Sequence, residues 1–112
     1  MSRAESLRGL EPELLVDLRL YPTEQGGRTK PVGLGWGCPC TPQQTEGAGW
    51  VGYDGWPLLG DETMVPGETR RVGFVFLSGQ QAVAALTAAG KFYLLEGRVI
   101  GEAIIIGSHI SN

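Results

Sequence analysis

The chain has 112 residues, with nine basic and twelve acidic side chains, 42% apolar residues, 18 glycines and 7 prolines. This size and composition fit one domain built from short strands and turns rather than long charged helices. No apolar run approaches the roughly 18 residues of a membrane helix, and the charged residues among positions 1–15 are untypical of a secretion signal. We therefore expect a cytoplasmic protein that does not bind membranes.

The charge balance bears on the kind of partner. The formal net charge is -3, whereas nucleic-acid binding draws most of its affinity from clustered Lys and Arg. Arg70 and Arg71 form the only adjacent basic pair. A protein is therefore the expected partner on charge grounds. Cys38 and Cys40 are the only cysteines, which indicates a reducing compartment rather than a disulfide scaffold.

The first half of the chain predicts a lead-in, a strand and a loop. Residues 1–12 show no clear period and are expected to be a flexible lead-in; the domain then spans 13–107, and 108–112 form a tail. Apolar residues recur at every second position of a half-buried strand: Leu14, Val16, Leu18 and Leu20. The polar stretch 23–31 is expected to be an exposed loop. A second alternation, on Val32, Leu34, Trp36 and Cys38, predicts another strand, which Pro39 and Pro42 would break or bulge.

The second half predicts further strands around one helix. Residues 50–56 fit a short strand that runs into a turn, and residues 72–77 fit a strand covered at least partly on both faces. The spacing of apolar residues in 80–89 predicts a short helix. Glu96 and Gly97 then form the tight turn of a hairpin. The last strand is so apolar that an open edge would aggregate, which favours closure into an all-β barrel.

Three separated motifs carry a family resemblance. They are Glu-Gln-Gly-Gly-Arg-Thr-Lys-Pro at 24–31, Met-Val-Pro-Gly-Glu at 64–68, and Gly-Lys-Phe-Tyr-Leu-Leu-Glu-Gly-Arg-Val-Ile-Gly at 90–101. Their order and spacing resemble the C-terminal β-barrel domain of translation elongation factor Tu, over roughly residues 13–106. The resemblance implies a small, six-stranded, closed antiparallel β-barrel that stands alone.

The resemblance also implies candidate binding positions. In that family the barrel contacts the T-stem of tRNA partly through the glycine-glycine-arginine loop and the closing hairpin, which correspond here to Arg28, Glu96 and Gly97. The sequence has no Gly-x-x-x-x-Gly-Lys-Ser/Thr loop, so we expect no binding of a nucleoside triphosphate. Three aromatic residues within 50–56 are either partner anchors or core residues. The candidate positions are Gly26, Gly27, Arg28, Trp50, Tyr53, Trp56, Glu96 and Gly97.

Catalytic chemistry is difficult to build from this sequence. His109 is the only histidine and lies in the tail, so no Ser-His or Cys-His pair is expected. Asp61 and Glu62 are adjacent and would point to opposite faces of a strand. Zinc would need ligands beyond Cys38 and Cys40, and the alternation places Cys38 inside the barrel. We expect no enzyme activity, no bound metal and no cofactor.

Three hypotheses for function remain open. The first is a non-enzymatic binding module that holds a protein through the loop at 26–30 and the aromatic segment at 50–56. The second is RNA or tRNA binding related to translation, as the resemblance implies. The third is a thiol or metal function at Cys38 and Cys40.

Overall fold

The computed structural model describes residues 2–42 and 52–108. Within them the chain forms six strands, two α-helices and a single 3-10 turn, Thr23–Gln25. In chain order the helices and strands are α1 (Arg3–Leu7), β1 (Leu14–Leu20), β2 (Cys38–Thr41), β3 (Tyr53–Pro57), β4 (Thr69–Phe76), α2 (Gln80–Ala89), β5 (Lys91–Leu95) and β6 (Val99–Ser108).

The six strands close into one antiparallel barrel in the order β1-β4-β3-β2-β5-β6. β6 pairs with β1 on one side and with β5 on the other. The most apolar strand therefore has both edges hydrogen-bonded, which removes the aggregation-prone edge that its sequence would otherwise present. The predicted all-β closed barrel with six strands and one short helical connection is confirmed.

Alternating side chains fill the barrel. In β1 every second residue is buried, from Leu14 to Leu20, as the sequence predicted. Three phenylalanines, Phe74, Phe76 and Phe92, pack at the centre with ring centroids 5.3, 5.7 and 6.0 Å apart. Two of the three pairs are edge-to-face, an arrangement that adds about 0.5–1.5 kcal/mol per pair beyond the area it buries.

The predicted helix at 80–89 is also confirmed. Ala82, Val83 and Leu86 of α2 are buried in the same core as the strands. Gly90 ends the helix with φ +78°, and its N–H donates to the carbonyls of the last turn, the left-handed termination that glycine favours. Among the described residues, neither helix is long and apolar enough to cross a membrane.

The prediction of a strand over residues 32–38 is wrong for most of that segment. Val32 forms only an isolated bridge with Met64, and the N–H of Trp36 donates to the carbonyl of Gly33 at 3.0 Å in a turn. Gly35 has φ +108°, a conformation that interrupts an extended run. β2 therefore begins only at Cys38.

The prediction that Pro39 breaks or bulges a strand is wrong, because Pro39 lies inside β2 in regular register opposite Asp54 of β3. Pro42 directly follows the end of β2 at Thr41. On its other side β2 pairs with β5 only through Cys40 and Thr41. Position 39 therefore lies beyond the β2–β5 ladder, and proline is tolerated where a strand needs no N–H donor.

The lead-in contains a helix that the sequence analysis did not predict. Ser2 and Glu5 form a capping box, in which each side chain accepts from the backbone N–H of the other residue at 3.2 Å. Leu7 at the end of α1 is buried, and the guanidinium of Arg3 stacks over Trp56 at 4.7 Å from the ring centroid. The Ser-x-x-Glu pattern before an apolar residue is the signal that could have indicated this helix.

Replacing a central core residue should destabilise the barrel strongly. We expect Phe74→Ala to lower the free energy of unfolding by about 3–5 kcal/mol, because it removes two ring contacts and leaves a cavity. Leu77→Ala is the control, since Leu77 is 73% exposed, and it should change the stability by less than about 0.5 kcal/mol. Urea unfolding followed by circular dichroism measures both. Equal losses in the two variants would contradict this description of the core.

Candidate functional site

Two glycines shape the loop that follows β1. Gly26 ends the 3-10 turn with φ +93°. The N–H of Gly27 donates to the carbonyl of Pro22 at 2.9 Å, and a Cβ on Gly27 would collide with the backbone carbonyl of Tyr21. Gly26 therefore supplies the left-handed conformation and Gly27 the close approach of two backbone segments, so that the loop can fold back against β1.

Arg98 fastens this loop to the closing hairpin. Its Nε donates to the carbonyl of Gly26 at 2.7 Å, and its Nη2 donates to the carbonyl of Gly27 at 3.1 Å. The hairpin turn is formed as predicted, with Gly97 at φ +76° and the N–H of Glu96 donating to the carbonyl of Arg98 at 2.8 Å. Two segments about 70 residues apart in sequence thus meet in one structure.

A cation, a carboxylate and an indole lie side by side at this meeting point. Arg28 Nη1 donates to Glu96 Oε2 in an ion pair. Trp36 Nε1 donates to the same oxygen at 3.1 Å, and the guanidinium of Arg28 lies 5.5 Å from the centroid of the Trp36 ring. The side chain of Arg28 is 20% exposed and that of Glu96 is 40% exposed.

We refer to this region as the loop–hairpin site. It comprises Gly26, Gly27, Arg28, Lys30, Trp36, Glu96, Gly97 and Arg98. A cavity of about 210 Å³ opens here, lined by Arg28, Thr29, Lys30, Glu96 and Arg98. Three cations thus face one carboxylate, which makes the site locally positive although the whole chain is acidic. Such a cavity attracts an anionic group.

The structure brings together only part of the predicted site. Of the eight candidate positions, those in the loop and the hairpin lie in the loop–hairpin site, whereas those in the aromatic segment do not. Trp56 lies beneath Arg3 of α1. Tyr53 is half-buried against the core, and Trp50 lies outside the described residues.

Three residues of the site were not among the predicted positions. Lys30 and Arg98 lie within two of the motifs that carry the family resemblance. Their closeness in sequence to Arg28 and Glu96 is the signal that could have indicated them. Trp36 was assigned to the inner face of a strand. It is instead half-buried beside the core with its indole N–H on Glu96, because residues 33–36 form a turn.

A second concave surface lies near the opposite end of β1. A groove of about 420 Å³ is lined largely by apolar side chains of α1, the segment after it, β3 and β4. Glu13, which immediately precedes β1, lines this groove, whereas the loop of residues 23–31 follows β1. This groove shares no lining residue with the cavity of the loop–hairpin site, although Gly37, the residue after Trp36, lies against the Trp56 indole.

The two cysteines lie in the core. Cys38 and Cys40 are buried and unpaired, which confirms the predicted inward packing of Cys38. Burial raises the pKa of the Cys40 thiol well above its usual value, and a thiol held in this protonated state is a weak nucleophile. Within residues 2–42 and 52–108, no three His, Cys, Asp or Glu side chains are grouped to hold a metal; His109 lies outside this part.

Comparison of the chain with models of known protein families found no match, and comparison with curated proteins found no significantly similar sequence.

The two loop glycines should differ in their tolerance to a methyl group. We expect Gly26→Ala to lower the free energy of unfolding by about 1–2 kcal/mol, the cost of a left-handed residue with a Cβ. Gly27→Ala should cost more, because its Cβ would strike backbone rather than open space. Urea unfolding compares the two. Equal effects would show that the close approach to Tyr21 does not constrain the loop.

Proposed function

We propose that the protein is a non-enzymatic binding module that holds a protein partner through the loop–hairpin site. The observation that carries this proposal is the assembly of an exposed cationic cavity from two distant segments. The groups at the site are two arginines, a lysine, an indole and one ion-paired carboxylate. These groups recognise charge and apolar surface, and the carboxylate is engaged by Arg28 and Trp36 rather than poised for proton transfer.

The internal hydrogen bonds of the site favour binding because they fix its shape in advance. Arg98 bonds both loop carbonyls, and Thr23 Oγ1 donates to the carbonyl of Arg28. A loop already held in one conformation loses less entropy when a partner binds. The site therefore resembles a prearranged surface more than a flexible connection.

Charge favours a protein partner over a nucleic acid. The positive charge of Arg28 is already balanced by Glu96, and two of the Arg98 nitrogens donate to backbone carbonyls. Few cationic groups are left for a phosphate backbone, while the chain as a whole carries a charge of -3. Trp36 adds an aromatic surface, the residue type that commonly anchors protein interfaces.

The two lysines of the sequence provide a matched test. Lys30 lines the cavity. Lys91 lies on β5 outside the cavity lining, with its Nζ 3.7 Å from Glu102 Oε1. With the full chain as bait in a lysate, we expect Lys30→Gln to lower recovery of a specific protein several-fold at low salt. Lys91→Gln should leave recovery within about twofold, because exposed ion pairs contribute little. Quantitative mass spectrometry with and without ribonuclease measures both.

Two results would contradict the proposal. One is equal recovery of the partner by the two lysine variants. The other is the absence of any specific protein on the wild-type bait, with circular dichroism showing a folded barrel. Ribonuclease-sensitive recovery would point instead to the second candidate.

RNA binding is that second candidate, and one observation favours it. The loop and hairpin positions that the resemblance to the elongation factor Tu barrel implies for tRNA contact lie side by side, with Arg28, Lys30 and Arg98 on one cavity. Three cations allow about three phosphate contacts, so the logarithm of the tRNA affinity should fall with the logarithm of salt concentration at a slope of about -2 to -3.

Arg28→Ala tests this second candidate. It should weaken tRNA binding and reduce the slope by roughly one. Fluorescence anisotropy with labelled tRNA measures both quantities, and Arg71→Ala serves as the control, since Arg71 pairs with Asp17 on the β1–β4 surface. Absence of tRNA binding in dilute buffer would eliminate RNA binding.

A further inference from the structure

The side chain of Glu96 indicates which chemical group the loop–hairpin site holds. One oxygen of its carboxylate, Oε2, accepts from both Arg28 Nη1 and Trp36 Nε1. The same carboxylate lines the cavity next to Lys30 and Arg98. The site is therefore arranged around a carboxylate, and in the free protein the chain itself supplies that group.

The contacts of this carboxylate are separable from those that hold the hairpin. The turn is formed by backbone atoms, through the N–H of Glu96 and the carbonyl of Arg98, and it is fastened to the loop by the side chain of Arg98. No described contact of the Glu96 carboxylate fixes the turn itself. The carboxylate can therefore leave Arg28 and Trp36 without opening the hairpin.

Displacement of this carboxylate is inexpensive. The side chain of Glu96 is 40% exposed and that of Arg28 20%, and ion pairs open to solvent contribute little to stability. A second carboxylate that enters the cavity meets the same two donors, and Glu96 alone does not balance the three cations that line the cavity, Arg28, Lys30 and Arg98. A group from a partner can thus replace Glu96 with a net gain in charge pairing.

We propose that Glu96 is an internal occupant of a carboxylate-binding site, and that an Asp or Glu side chain from an acidic segment of a protein partner takes its place on Arg28 and Trp36. This inference rests on the proposed function and specifies the partner chemistry at the same site. Glu96 then sets the affinity threshold, since every incoming carboxylate must compete with a carboxylate that is always present.

The competition is directly observable at Trp36. Its indole N–H donates to Glu96, so the NMR signal of that proton reports which group occupies the position; Trp36→Phe assigns the signal. The probe is a terminally blocked peptide of four glutamates, titrated into the full chain. We expect the Trp36 signal to shift on titration of the wild-type protein.

Removal of the internal competitor should strengthen binding of the peptide. Glu96→Gln should bind it roughly fivefold more tightly than the wild type, the factor that corresponds to about 1 kcal/mol of lost competition. Glu96→Ala, which also removes the amide that could still accept a hydrogen bond, should show the same direction. Asp61→Asn is the matched control, because it removes one negative charge from the exposed pair with Arg8, and its affinity should stay within about twofold of the wild type.

Several outcomes would overturn the inference. One is that both Glu96 variants bind the peptide with the same affinity as Asp61→Asn, and another is that the Trp36 signal stays unchanged in every protein. A third is that the Glu96 variants bind a short RNA duplex more tightly but the peptide no more tightly, which would make phosphate the ligand. The test is independent of partner capture. Tighter peptide binding without any captured protein would remove the proposed function and keep the carboxylate site, whereas capture that depends on Lys30 without an effect of Glu96 would do the reverse.

Discussion

The pairing of β1 with β6 is the interaction on which the rest of the structure depends. This pairing closes the barrel, and its register sets Leu20 opposite Gly101. The end of β1 therefore lies beside the start of β6, next to the turn of the closing hairpin. A Cβ at Gly101 would come within 2.8 Å of the carbonyl oxygen of Arg19, closer than real Cβ contacts allow. The absence of a side chain at position 101 thus permits the pairing that brings the loop to Arg98 and Glu96.

Local patterns were sufficient to predict several strands and the helix, whereas the number of strands in the barrel followed from the family resemblance. Alternation in β1, the apolar spacing of α2 and the glycine of the hairpin each reflect a conformation fixed by near neighbours. Residues 32–38 alternate equally well, but Gly35 in a left-handed conformation divides them, and alternation alone does not reveal that a glycine has left the extended region. The helix in the lead-in has no apolar period, because it buries only Leu7, and its sequence signal is the capping box of Ser2 and Glu5 alone.

The site was predicted less completely than the fold, for a physical reason. The loop glycines, Arg28 and the hairpin turn were singled out because short motifs mark them. The bonds from Arg98 to the loop carbonyls and from Trp36 to Glu96 join residues 60 to 72 positions apart. Those bonds depend on strand register around the whole barrel, which no local pattern contains. Trp56 lies outside the cavity of the loop–hairpin site for the same reason, since its position on β3 is set by the strand order of the barrel.

The position of the two cysteines has a practical consequence. Both thiols lie within β2, a strand of four residues that is sealed on the inside by the core. A thiol reagent can reach them only when β2 separates from its neighbours, so the rate of labelling measures how often that part of the wall opens. Thiol labelling of the unmodified protein therefore reports local opening of the barrel wall at β2, the strand that follows Trp36 in the chain.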